Sequence, residues 1–295
     1  SGEPEARFEA YARAYAGCGV YADASYRRSY ARIYESVACI GHGNEAKYRK
    51  DWLERPQDIV GRTVRLENME VNRHMSKFHA MTCGDVYKEN KPFDPNEVWA
   101  FWPEGPFEHA KDMKRSFLFH RKPNEAGFAI IEAMTDEMIG FVFLTNDNPQ
   151  NLSISLELPI VKPSSEGTVE SIEACYLLVD RLFALGYRRI QLSIDSMDTN
   201  GKKLAGRLGF TQEGLLPKDR IIKESNRDSI IYGMLNSDWT KGARAFLYKK
   251  LHGEKAMKTD AAFNKKEEEL DEQEKGLAAK KAKEEEEGTL AKENK

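Results

Sequence analysis

Long apolar runs are missing from this chain of 295 residues. With 32% charged residues and a mean hydropathy of −0.65, no stretch approaches the roughly 20 apolar residues that a spanning helix needs. A membrane span is therefore not expected. Cysteine is scarce: Cys18, Cys39, Cys83 and Cys175 are the only four, and they form no C-x-x-C pair. That excludes a disulfide scaffold and a zinc module, and predicts free buried thiols in a reducing, intracellular compartment, cytoplasm or organelle matrix. An excess of one charge is also lacking. The net charge of −3 mixes both signs along the chain, so no global basic field would draw it to nucleic acid.

What is present divides the chain into three parts. Residues 1–60 are rich in tyrosine: Phe8, Tyr11 and Tyr15 are spaced to share one helical face, as are Tyr26, Tyr30 and Tyr34, with Gly17 and Gly19 between the sets. Two short amphipathic helices are expected, whose rings either pad the main domain or dock a protein partner. Residues 253–295 hold little to bury beyond Met257, Phe263, Leu270, Leu277 and Leu290, and carry charge blocks such as Lys265 to Glu269 and Glu284 to Glu287. Leu270 and Leu277 stand one heptad apart with no apolar position between them to complete a seam. A charged tail is expected, helical or disordered, free in solvent or laid along a partner.

Between these flanks, residues 61–252 switch repeatedly between the period of a strand and that of a helix. Thr63 to Leu66 alternates as a strand. Val71 to Tyr87 reads as a helix with Met75, Phe78, His79 and Val86 on its apolar side, and Phe107 to His120 as a second helix. Phe128 to Glu132, Ile139 to Leu144 and Ser153 to Leu158 read as strands joined by short turn-rich links such as Asn146-Asp147-Asn148-Pro149, which predicts an antiparallel meander. A helix from Thr168 to Leu185, closed by Gly186, leads straight into the strand Arg189 to Ile194, a crossover that makes this strand parallel to the one before the helix. A helix from Gly201 to Leu208, ended by Gly209, precedes a last strand pair containing Ile221-Ile222 and Ser229 to Gly233. The expected fold class is α/β, an α+β mixed sheet that is mostly antiparallel with one parallel β-α-β crossover and helices on both faces.

Several strings fall in a telling order: Val98-Trp99-Ala100-Phe101-Trp102-Pro103, Gly105-Pro106-Phe107, Gly186-Tyr187-Arg188-Arg189-Ile190, Arg207-Leu208-Gly209-Phe210, Glu213-Gly214, Arg227-Asp228 and Asp238-Trp239. Each has a plain structural reading. Leu208-Gly209-Phe210 is a helix cap and a core aromatic, and at least two of Trp99, Phe101 and Trp102 are expected in the core. Together, over about Arg62 to Trp239, they resemble the Gcn5-related N-acetyltransferase (GNAT) domain in its Rim-type branch, the ribosomal-protein N-terminal acetyltransferases. The resemblance implies the GNAT fold and transfer of an acetyl group from acetyl-CoA to a primary amine, either a protein N-terminus or a small amine.

It also implies site residues. Glu166, Gly167, Thr168, Val169, Glu170 and Ser171 match the turn whose amides hold the cofactor pyrophosphate at the start of the long helix, where the helix dipole favours an anion. This turn keeps one glycine and brings two carboxylates towards a phosphate; read plainly, it is a helix start capped by Ser165 or Thr168. On the preceding strand, Leu158 and Ile160 match cofactor-binding positions and Glu157 the general base, taking a proton from an ammonium acceptor directly or through water. Glu157 is otherwise a solvated strand residue, and Pro159, lacking a donor, marks an edge or bulge. Asp198 stands where the family has an asparagine that contacts the cofactor arm, and Gly201 where it has the serine or tyrosine that protonates the leaving thiolate. Asp198 is thus a catalytic and cofactor-binding candidate with Lys202 beside it, or simply the N-cap of the helix carrying Lys202 and Lys203. Lys218 and Arg220 border the acceptor side and either recognise a carboxylate or face water.

Two functions fit these residues: an acetyl-CoA-dependent N-acetyltransferase, or a catalytically degenerate relative that serves a larger assembly as an interaction or structural subunit through residues 1–60 and the tail. A CoA-binding sensor without turnover is a third.

Overall fold

The computed structural model describes residues 56, 58–84, 93–116, 118–119, 121–259 and 265. The aromatic helices expected around Tyr11 and Tyr30, Cys18, Cys39, Val86 and, Lys265 apart, the tail beyond Thr259 lie outside the described residues. The chain divides into two units, one spanning Ala46–Ala243 and one to which the residues from Arg244 onward belong.

In the first unit β1 (Ile59–Val60), β2 (Val64–Asn68), β3 (Ala126–Glu132), β4 (Met138–Asn148), β5 (Ser153–Val161), β6 (Arg189–Asp195), β7 (Thr211–Ile222) and β8 (Ser225–Leu235) form one sheet in the order β1-β2-β3-β4-β5-β6-β8-β7. Neighbours are antiparallel except β5 and β6. Short links fold β3, β4 and β5 into the expected meander. Helix α4 (Val169–Ala184) carries the chain across the sheet and so makes β6 parallel to β5.

Helix α1 (Val71–Thr82) buries His74, Phe78 and Thr82, a one-face stripe at successive turns. With Met113 of α3 (Ala110–Lys114) it covers Ala129, Ile131, Phe141, Phe143 and Ile160 on one face of the sheet. Between them lies α2 (Pro95–Val98), capped by Asp94. Helix α4 packs against β2, β3 and β5. Its buried Glu173 accepts the backbone N–H of Arg62 (2.8 Å), Thr63 (2.7 Å) and Val64 (3.2 Å) and the Thr63 hydroxyl, so a charge inside the domain is met by four donors. Helix α5 (Thr199–Leu208) ends at Gly209, whose φ of 86° favours glycine. In the second unit, α6 (Arg244–Thr259) is broken at Gly253.

Two expectations are corrected. Phe107 to His120 is not one helix: α3 is short because the Ser116 hydroxyl donates to Met113 O (2.6 Å) and i→i−3 turns replace helical bonds. The Asn146-Asp147-Asn148 stretch stays in β4, and the turn falls at Pro149–Leu152. The expected last strand pair is present: β7 runs from Thr211 through Ile221-Ile222 and tolerates Gly214, Pro217 and a register shift before Arg220. The expected free thiols include Cys175, whose burial pushes its pKa up to about 12, and the half-buried Cys83. Among the described residues no helix is long and apolar enough to cross a membrane.

Candidate active-site cleft

Strands β5 and β6 pair over Ser153↔Arg189, Ile154↔Ile190 and Ser155↔Gln191. Beyond that point β6 stays with β8 through Asp195↔Ser229, and β5 stays with β4 through Val161↔Gly140. The two strands therefore part from Leu156 and Leu192 onward. The cause is local. Phe143 faces Glu157 but Phe141 faces Ile160, so β5 holds one residue more than β4 at Leu158-Pro159. Such a bulge bends the strand, and Pro159 offers no N–H to either neighbour. Gly140 permits the close approach beneath it, because a Cβ there would lie 2.3 Å from Ile160 O. The gap opens into a cleft of about 1140 Å³.

At one mouth is the turn before α4. Gly167 has a φ of 68°, which favours glycine. Neither expected side-chain cap forms: Thr168 Oγ1 donates to Ser165 O (3.0 Å) instead, and Ser171 Oγ donates to Thr168 O (3.0 Å). The N–H groups of Gly167, Val169, Glu170 and Ser171 consequently find no acceptor among the described residues. A row of such amides at a helix start attracts an anion. Glu166 is bonded by Asn200 Nδ2 (2.9 Å), while Arg207 Nη1 donates to Gly167 O (3.2 Å) and Lys203 lines the same mouth.

Of the expected cofactor residues, Leu158, Ile160, Glu166, Gly167, Ser171 and Asp198 line the cleft. Thr168, Val169 and Glu170 share the turn. Lys202 donates to Ser196 O (2.8 Å), and its neighbour Lys203 is the one that stands in the cleft. Asp198 caps α5 by accepting from Gly201 N (2.7 Å); burial raises its carboxyl pKa and that amide opposes the rise. A Cβ on Gly201 would meet Asp198 Oδ2 at 2.3 Å and Leu158 Cδ1 at 2.8 Å, so cap and glycine form one packed unit.

The other mouth is aromatic and charged. Glu157 accepts from Thr145 Oγ1 (2.9 Å) and lines the cleft. Beside it Arg121 stacks 3.9 Å over the Phe143 ring and donates through Nε to Leu118 O (2.9 Å). Burial lowers the guanidinium pKa, and Glu125 and Glu157 oppose that. Of the three rings at 99–102, Trp99 is the fully buried one, with Nε1 donating to Thr82 O (3.1 Å). Trp102 packs partly against the core, and the half-buried Phe101 forms wall. Core packing of two of the three therefore holds only if Trp102 is counted. Two cations of the β7–β8 hairpin hold this wall: Lys223 Nζ donates to Trp99 O (3.0 Å), and Arg227, bidentate to Asp195 (2.8 and 2.9 Å), lies 5.6 Å from the Phe101 ring centre. Arg220 lines the cleft, whereas Lys218 is bonded through its backbone N–H to Asp228 (2.7 Å). Sequence reasoning missed Arg121, Thr145, Lys203 and Arg207 as site residues. No spacing signals Arg121; an α5 face with Lys203 and Arg207 one turn apart was the available signal for the other cations. Among the described residues no group of His, Cys, Asp and Glu could hold a metal ion.

This fold is that of known acetyltransferases. A Gcn5-related N-acetyltransferase from Brucella melitensis superposes with a TM-score of 0.61 at 22% identity, over 68% of this chain and 88% of that one. A probable GNAT-family acetyltransferase from Chromobacterium violaceum gives 0.57 at 26% identity, over 67% and 95%. No family model and no curated protein matches the chain. The chain has the GNAT fold, and these structural neighbours belong to the GNAT acetyltransferases.

Proposed function

We propose that the chain is an N-acetyltransferase, which moves the acetyl group of acetyl-CoA onto a primary amine, a protein N-terminus or a small amine, as the Rim-type strings imply. The observation that carries this reading is the parting of β5 from β6 between a mouth of free amides and a mouth holding Glu157. The amides of Gly167 to Ser171, flanked by Lys203 and Arg207, would hold the pyrophosphate. Backbone groups of β5 beyond Ser155 would bond the pantetheine arm, less the one Pro159 lacks.

Acetyl-CoA supplies a thioester whose thiolate is a tolerable leaving group. Glu157 Oε1 is held by Thr145, which leaves Oε2 to take the proton from an ammonium acceptor and free the amine lone pair. Gly201 returns no proton, so the rate would rest on holding amine and thioester together and on that one base. One observation favours the second reading, an interaction subunit without turnover: Asp198 and Leu158 occupy the space a side chain at Gly201 would need.

Calorimetric titration with acetyl-CoA separates the two. Specific binding is expected, weakened about tenfold by Arg207→Glu, since replacing an attractive charge beside the phosphates with a repulsive one costs at least that, and abolished by Gly167→Trp. A folded wild-type chain that binds no acetyl-CoA sinks the enzyme reading.

A further inference from the structure

Resting on the acetyltransferase reading of this cleft, we propose that the acceptor is an amine that also carries a carboxylate, with Arg121 gripping the carboxylate while Glu157 takes the ammonium. Both groups stand over one residue. Glu157 faces Phe143 across the β4–β5 pair, and cross-strand partners share a face of the sheet. The Arg121 guanidinium lies 3.9 Å above that same Phe143 ring. A carboxylate and a guanidinium are thus set side by side at the acceptor mouth, the arrangement a zwitterion matches.

Arg121 is built in rather than solvated. Its side chain is 14% exposed, stacked on an aromatic face and anchored through Nε to Leu118 O. Of its five N–H groups Nε–H is spent there. The nearest charge partner, Glu125 Oε2, is 3.6 Å from Nη1, an ion pair too long for a hydrogen bond. The Nη edge of the fork is the part that accepts a carboxylate in bidentate fashion. A purely cationic polyamine would meet this guanidinium as a like charge in a partly desolvated site, where repulsion is poorly screened. An acceptor with both signs is attracted at both ends.

The carboxylate can belong to a free amino acid or to an acidic residue of a peptide, and the assay separates these sources. Initial rates with acetyl-CoA are compared for phenylalanine, phenylalaninamide, spermidine and a peptide amide that begins with aspartate. The acids are expected to exceed phenylalaninamide and spermidine in kcat/KM by roughly tenfold or more, and whichever acid is preferred names the source. Arg121→Gln should raise KM for the acids roughly 10- to 100-fold with kcat within about threefold, change KM for the amide several-fold less, and Arg121→Lys should fall between. Preference for spermidine or the amide, or an equal loss on every acceptor in a folded Arg121→Gln chain, overturns the proposal.

A second readout needs no turnover. N-acetylphenylalanine and its amide are titrated into the full chain with and without CoA. Tighter binding of the acid, lost in Arg121→Gln, sustains the carboxylate grip even when no acceptor is acetylated; equal binding of acid and amide overturns it. The heat of CoA binding in the same experiment reports separately whether the donor site, and with it the transferase reading, has failed.

Discussion

The two ends of the β5–β6 pair are built in opposite ways. At the closed end the strands bond in register, the N–H groups of Arg188 and Arg189 both donate to Leu152 O (2.8 and 3.3 Å), and the buried Tyr187 hydroxyl donates to the buried Asp147. At the open end the Leu158-Pro159 bulge ends the pairing and leaves main-chain groups, Glu157 and the α4 turn facing a cavity. The closed end holds together because its main-chain groups pair across the strands and the Tyr187 hydroxyl is bonded inside the protein. The open end is chemically useful because its main-chain groups are not paired in this way, so that a ligand can satisfy them. A site of this kind needs no added element, only a place where a sheet stops pairing.

That contrast can be broken or sharpened by substitutions at each end. The largest effect is expected at the open end, where Glu157→Gln should lower kcat by about 10²- to 10⁴-fold, the usual worth of a positioned general base, while calorimetry shows acetyl-CoA binding unaltered. An unaltered rate would reduce Glu157 to a strand residue. Next, Tyr187→Phe at the closed end should cost about 2 kcal/mol in urea unfolding, because it removes a buried hydrogen bond to a carboxylate, and should leave acetyl-CoA affinity alone. If affinity falls with stability, the two ends are one cooperative unit.

The smallest effect lies at the rim of the closed end. Arg189 donates to both oxygens of Glu213, one at 2.7 Å, and these bonds hold the Glu213 carboxyl below its ordinary pKa of 4.5. A carboxyl depressed in the folded state stabilises above its unfolded pKa, and the gain is lost as pH falls through the folded value. The pair is exposed, so the gain is small. An NMR titration should place Glu213 below 4.5 in the wild type and return it to the ordinary range in Arg189→Met. An ordinary value in both would remove Arg189 from the clamp.

The closed end was also the more legible in the sequence. Apolar alternation in Ile154, Leu156, Ile190 and Leu192 marks both strands, and the helix between them makes the pair parallel, because a crossover returns the chain to the same end of the sheet. At the open end the strand and turn positions of Glu157 and Gly167 could be read, since both sit where one period gives way to another. Lys203 and Arg207 had only their one-turn spacing to signal them, and Arg121 had nothing, because a cation in a sequence looks solvent-facing until tertiary packing supplies a ring, a carbonyl or a carboxylate beside it. Arg121 owes its role to Phe143, which lies on a different element and is joined to it only by the fold. Gly214, Pro217 and a run of charges likewise leave the start of β7 unmarked in the sequence, and pairing with β8 sets it.

Glu173 carries a consequence of another kind. Arg62, Thr63 and Val64 meet it through main-chain N–H groups, which persist whatever side chain other than proline's stands at those positions. In evolutionary terms the constraint on this corner of the sheet falls on a single codon: the donors survive mutation and the acceptor does not. Even glutamine, the closest match in shape, would turn an amide nitrogen towards main-chain N–H groups, which can only donate.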